Sequence, residues 1–306
     1  MTRHFRFAIP LIVGGIWSCR MLQAQTTPPP DPNLAAFLEQ TSKLDQSARQ
    51  GSGLTRQEAA GLEDALAKSP TDVTARAKLL EYYFGTHSPD ISIDERIRAR
   101  RRNILWLIAN QPDSPLLWAS AATIDPRGQQ LADPEGYQEA KELWLKQTGK
   151  SGVSAATLGC AGRFFYLPDK RLAAAYFARA RQLQPQFPFW TAMQGSILAF
   201  AVTGITMMNQ NGLPGPADPA EAGSDFAKSA MQELTTSDDA DLLAAAAGEL
   251  TMRGFMAQGM AKTTPSFDAL VLAETVLNRA QKLKPDADYS AQFARIHKFR
   301  ARSAAR

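Results

Sequence analysis

Two stretches decide the fold: Arg179-Ala180-Arg181-Gln182-Leu183-Gln184-Pro185 and Arg279-Ala280-Gln281-Lys282-Leu283-Lys284-Pro285. Four of the seven positions are identical, and the copies lie 100 residues apart. That separation is close to three units of about 34 residues, the period at which stacked helical hairpins repeat. Weaker copies are Leu62-Glu63-Asp64-Ala65 with Pro70, and Ile104-Leu105-Trp106-Leu107-Ile108 with Pro112. In each, an apolar helical run is stopped by a proline, which lacks the amide hydrogen that a continuing helix needs.

Working outward, the rest of the chain repeats this grammar of helix, short break, helix. Ala is abundant and costs no side-chain entropy in a helix, and no alternating apolar and polar run of any length reads as a strand. The pattern predicts helices over 33–49, 55–68, 72–84, 92–110, 115–123, 134–148, 153–166, 169–184, 188–206, 219–235, 238–258, 266–283 and 287–302. The breaks supply their own caps: Ser69-Pro70-Thr71-Asp72, Gln111-Pro112-Asp113-Ser114-Pro115 and Leu167-Pro168-Asp169 each end one helix and open another. Asp238, Asp239 and Asp241 read as an N-cap cluster. One break, Asn209 to Ala220, is rich in Gly and Pro, and is either a functional insertion or a flexible one.

These residues resemble the tetratricopeptide repeat (TPR) family, best over 154–187. There the family's aromatic in the first helix falls on Phe164, its small second-helix residues on Ala173 and Ala180, its bulky one on Phe177 and its closing proline on Pro185. The last unit keeps Ala273, Leu277, Ala280 and Pro285, and an earlier one keeps Leu79 and Tyr83. Thr157 and Ala161 stand where the family has Trp and Gly, and the segments 85–92, 124–133 and 207–220 are insertions. The resemblance implies an all-α fold: an α-solenoid of about six antiparallel helix pairs in a right-handed superhelix, with a C-terminal capping helix. It also implies binding of a protein or peptide partner in the concave groove. Counting 100° per residue from core Phe164 puts Phe165 toward that groove, with Phe189 and Phe200 beside it. The alternative is that these rings pack between adjacent pairs.

The start of the chain reads as an export signal. Arg3 and Arg6 precede an apolar run from Phe7 to Trp17, which is shorter than the roughly 20 residues a membrane span needs. Leu22-Gln23-Ala24 offers a cleavage site, so the expected organisation is a signal peptide over 1–24, a Pro-rich linker over 25–32 and a helical repeat domain over 33–306. Cys19 is an alternative lipid attachment point, the only route by which a membrane partner is expected. Removing 1–24 takes away three arginines and no acid, leaving 31 basic against 30 acidic residues. The basic balance of the whole chain therefore does not argue for nucleic acid. The remaining Cys160, among Leu158, Ala161 and Phe164, reads as a small core residue.

Chemistry is sparse. His4, His87 and His297 are scattered, and no metal-ligand spacing, nucleophile elbow, phosphate loop or dinucleotide motif occurs, so neither metal nor cofactor is expected. Asp133, Glu135, Glu139 and Glu142 could make a glycosidase-like carboxylate pair, but they read more simply as a salt-laced helix face. Arg96, Arg98, Arg100, Arg101 and Arg102 surround an apolar stripe of Ile93, Ile97, Ile104 and Ile108. The basic C-terminal run from Arg295 to Arg306 fits a final helix that turns Phe293, Ile296 and Phe299 inward. The expectation is a non-enzymatic, exported interaction scaffold in the periplasm or outside a bacterial cell. The alternatives are a helical carbohydrate-active enzyme and a lipid-anchored envelope assembly factor.

Overall fold

The computed structural model describes residues 32–85, 91–127, 131–204, 218–259 and 268–304. The expected signal peptide over 1–24 with its expected cleavage site, Cys19, His4, His87 and most of the 207–220 segment lie outside them. Among the described residues the chain is helical throughout, with no strand, and thirteen α-helices pack against one another. In chain order they are α1 (Pro32–Gly51), α2 (Arg56–Lys68), α3 (Val73–Gly85), α4 (Ile93–Asn110), α5 (Pro134–Thr148), α6 (Ala155–Phe165) and α7 (Lys170–Leu183). They continue as α8 (Pro188–Thr203), α9 (Pro219–Ala222), α10 (Asp225–Thr236), α11 (Ala240–Gly259), α12 (Ala269–Leu283) and α13 (Ser290–Ala304). The described helices group into two compact units, one over 29–190 and one from Thr191 onward.

The sequence-level punctuation becomes one recurring joint. Ser69, Gln111, Gln184 and Lys284, each followed by proline, close α2, α4, α7 and α12 with φ between −128° and −140° and ψ between 61° and 75°. The residue before a proline is disfavoured in the α region, so the helix leaves its path at that residue. Its own amide still donates to the carbonyl four residues back (Ala65, Leu107, Ala180 and Ala280), at 2.8–3.0 Å. Three residues later an amide returns to its carbonyl, from Asp72, Ser114, Phe187 and Ala287. At the other ends Thr55, Ser92, Asp133, Ser154, Asp169, Ser224 and Asp268 cap with their side chains, each satisfying amides that a helix start leaves open.

In the first unit, side-chain ties fix the directions of the helices. Arg56–Glu95 and Arg102–Glu63 hold α2 and α4 side by side, running the same way. Arg101 reaches Asp133 and Glu139 near the start of α5, while Gln147 near its end donates to the carbonyls of Ile108 and Ala109 at 2.8 Å each, so α4 and α5 also run together. Lys141–Asp169 and the bond from Arg179 to the Thr148 carbonyl continue the row to α7. Helices α3 and α6 pack against this row. The α3 helix is antiparallel to α4, with Arg76 bonded to Asn103 and Arg96 to the Tyr83 carbonyl. The α6 helix is joined to α7 by a tight turn, and a Cβ on Gly162 would stand 2.7 Å from the Phe177 ring.

In the second unit α11 and α12 are antiparallel, with Gly254 against Leu270 at one end and Lys284 paired to Asp241 at the other. Helices α8 and α11 run together, Gly195 lying on Ala245 and Ala246 and Phe200 beneath Arg253. Arg279 of α12 clasps the end of α10, donating to Ser237 O at 2.7 Å and Thr236 O at 2.8 Å. Their core joins Leu198, Leu234, Leu243, Leu250, Val276 and Leu277. On α13, Ile296 is fully buried and Phe299 stacks on Phe255 at 4.3 Å.

Two helix expectations are corrected. Residues 115–123 form two 3₁₀ turns, Pro115–Trp118 and Ser120–Ala122, broken at extended Ala119. The run breaks at Ala119, whose extended backbone (φ −66°, ψ 143°) ends the first turn, and Arg100 then ties down the carbonyls of Ala121 at 3.2 Å and Thr123 at 2.6 Å. The stretch 219–235 divides at Gly223, where Ser224 starts a new helix by accepting from Ala227 N.

Candidate functional site

The acidic residues at the start of α5 converge on one arginine. Asp133 is buried; it caps α5 through Gly136 N at 2.9 Å and is gripped by Arg101 on both oxygens, Nε lying 2.9 Å from Oδ2. Glu139 and Glu135 reach the same guanidinium at 3.2 and 3.5 Å from the solvent side, and Glu142 is exposed. The arrangement gathers negative charge around one arginine and binds two helices together. The five-arginine run is used in the same way: Arg96, Arg100, Arg101 and Arg102 each bond to another helix or turn. Burial lowers the Arg100 pKa to about 10, with Arg96 adding to the effect. The Cys160 thiol is buried, and burial raises its pKa well above the usual thiol value, so it is held as the neutral thiol. Among the described residues no group of three His, Cys, Asp or Glu is placed to hold a metal ion.

The residues quoted for helix packing lie inside: Phe164, Ala173, Phe177, Ala180, Ala273, Leu277 and Ala280 are each at most 4% exposed. Pro185 and Pro285 are exposed at the joints. The groove rings do not behave as expected. Phe165, Phe189 and Phe200 are 0–2% exposed and offer no face to solvent. Phe165 packs among Tyr137, Phe164 and Tyr176, and Phe200 lies under the Arg253 guanidinium at 3.2 Å. The reason is that α6 and α8 are covered on nearly every side. On α6 only Ala156 and Arg163 are half-buried; the rest are buried. A 100° step round such a helix leads from one neighbour to the next, not to water.

An aromatic cluster in the first unit does reach the surface. Phe187, Phe189 and Trp190, straddling Pro188 after the α7 joint, form its floor. Trp118 of the 3₁₀ turn joins at 4.9 Å from Phe189 and 6.3 Å from Trp190, and Trp190 Nε1 is anchored on Gln184 at 3.1 Å. Phe37 of α1 enters from outside, with its ring 5.2–6.1 Å from Phe189, Trp118 and Phe187. Phe37 and Trp118 are half-buried. The edge-to-face pairs among them, Phe37 with Trp118 and Phe187, and Trp190 with Phe187 and Phe189, add about 0.5–1.5 kcal/mol each beyond area burial. Of this cluster only Phe189 stood out in the sequence. The density of Phe187-Pro188-Phe189-Trp190 at a joint was the available signal for the floor, while the long-range approach of Phe37 left none.

The chain matches no protein-family model, no curated protein and no solved structure. Its function therefore has to be argued from its own residues.

Proposed function

We propose that the chain is an exported, non-enzymatic interaction scaffold, built from about six copies of a tetratricopeptide-like helical hairpin, with α13 as the capping helix. The observation that carries this reading is a repeated clasp. Gln147, Arg179 and Arg279 each reach from one helix to the last carbonyls of an earlier one, those of α4, α5 and α10 respectively. A cation or amide at a helix C-terminus satisfies open carbonyls and meets the negative end of the helix dipole. A side chain doing that job for its neighbour suits units that stack on one another, and stacked rigid units present surface for a partner segment. The carbohydrate-active alternative draws no such support, since Asp133, Glu135 and Glu139 converge on Arg101.

The test is crosslinking of the native envelope fraction, followed by mass spectrometry. The expected result is a partner protein whose crosslinks return reproducibly to one face of the helical domain. Repeated mild capture with no protein partner would overturn the reading. The same spectra test export, through a mature chain beginning at Gln25 or a lipid on Cys19.

A further inference from the structure

Helix α1 does not behave as the hairpin partner of α2, although only residues 52–55 separate them. It lies instead on α3 and on the Pro115–Trp118 turn, and its Phe37 reaches the rings at 187 and 189. It crosses α3 running the opposite way: a Cβ on Gly51 would fall on the Lys78 carbonyl, and Asp45 and Arg49 act electrostatically on Glu81. It thus spans elements drawn from three separate parts of the chain.

Its own chemistry is that of a bound ligand. Phe37, Thr41, Leu44, Ala48 and Gly51 form the covered stripe at steps of four, three, four and three residues. Glu39, Gln40, Ser42, Lys43, Gln46, Arg49 and Gln50 face solvent. An amphipathic helix laid in a groove shows this anchor spacing. The two halves are held differently. The C-terminal half sits on the α3 backbone through Gly51, whereas Phe37 of the N-terminal half meets the aromatic cluster.

We propose that α1 is an internal ligand occupying a helix-docking cleft floored by Trp118, Phe187 and Phe189. The external partner of that cleft is an amphipathic helix with an aromatic anchor at the position of Phe37; it binds by displacing the N-terminal half of α1. The inference rests on the scaffold reading and names the partner's chemistry.

The probe is a fluorescein-labelled synthetic peptide with the sequence of residues 32–51, titrated into the full chain. Loosening the internal occupant by Phe37→Ala should tighten peptide binding about tenfold, because apparent affinity scales with the fraction of open cleft. Phe37→Leu should give a smaller gain, which guards against misfolding of the alanine chain. Adding Trp118→Ala to Phe37→Ala should abolish the gain. In the wild-type chain, saturating peptide should speed amide exchange over residues 37–44 while leaving α2 unchanged. Equal binding by the wild-type, Phe37→Leu and Phe37→Ala chains, or none by any of them, overturns the proposal. So does a wild-type dimer that Phe37→Ala dissociates, which would make a second copy the occupant. Either outcome leaves the scaffold reading to its own crosslinking test.

Discussion

Replacing Gly159 by alanine tests the close packing of the first unit at its tightest point. The new methyl would stand 2.3 Å from both Cη2 and Cζ3 of Trp190, where ordinary contact begins near 3.4 Å. Either the indole or α6 must therefore move by about 1 Å in a core packed as densely as a crystal. The indole has nowhere to go: it is 2% exposed, flanked by Phe187 and Phe189 at 5.3 and 5.2 Å, and tied through Nε1 to Gln184. Overpacking of this kind costs about 1–3 kcal/mol. Against it, alanine is the better helix former by about 1 kcal/mol. Two ring atoms are struck at once, which places the cost at the upper end and leaves a net loss of about 2 kcal/mol. Gly61 in α2 is the control, because nothing lies within 4 Å of its missing Cβ. Gly61→Ala should show the propensity gain alone, about 1 kcal/mol of stabilisation. Urea unfolding followed by far-UV circular dichroism and by tryptophan emission reads both; two probes are needed because two units need not melt together. Trimming the ring by Trp190→Leu should make the Gly159→Ala cost largely disappear in a double-mutant cycle. A Gly159→Ala chain as stable as wild type would refute the packing of α6 against the start of α8.

Three further outcomes are expected. Arg279→Met, which removes three bonds at 2.7–2.9 Å from a partly exposed side chain, should cost about 2 kcal/mol. Arg179→Met, which removes one bond at 3.2 Å, should cost about 1 kcal/mol, and the reverse order in urea midpoints would count against a shared clasp. Burial, and then Asp45, raise the Glu81 carboxyl pKa above 4.5, so its contribution to stability is present in acid and lost as pH rises through the folded-state value. Glu81→Gln should accordingly exceed wild type in melting temperature at pH 7, and the gap should close by pH 4; a gap that does not change with pH would refute this. Cys160, buried and hydrogen-bonded to the Ser114 carbonyl at 3.6 Å, should resist thiol reagents in the native chain and react at the rate of unfolding. Prompt labelling would show that α6 opens locally.

Helix existence was legible because proline writes its own boundary. Pro70, Pro112, Pro185 and Pro285 end helices where the pattern places the ends, and α5 occupies the expected 134–148. Residues 115–123 were misread because local propensity does not register tertiary partners: Arg100, 15 or more positions away, holds the Ala121 and Thr123 carbonyls of the second turn. The rings at 165, 189 and 200 were misplaced by assuming that a helix keeps one wet face. The run Ile197-Leu198-Ala199-Phe200-Ala201-Val202, apolar on all sides, carried the contrary signal. The docking of Phe37 against Trp118 joins positions 81 residues apart, and no periodicity encodes such a meeting.

The proline joints bear on how such a chain can be edited. None uses a left-handed residue; among the described residues only Gly152 and Gly204 have positive φ. Ser, Gln and Lys serve equally before the proline, so drift at that letter leaves the bend unchanged. The joints are therefore positions where the residue before the proline can change without redesigning a turn. Gln147, Arg179 and Arg279 then supply what the joints lack, a side-chain tie from one helix to the end of another.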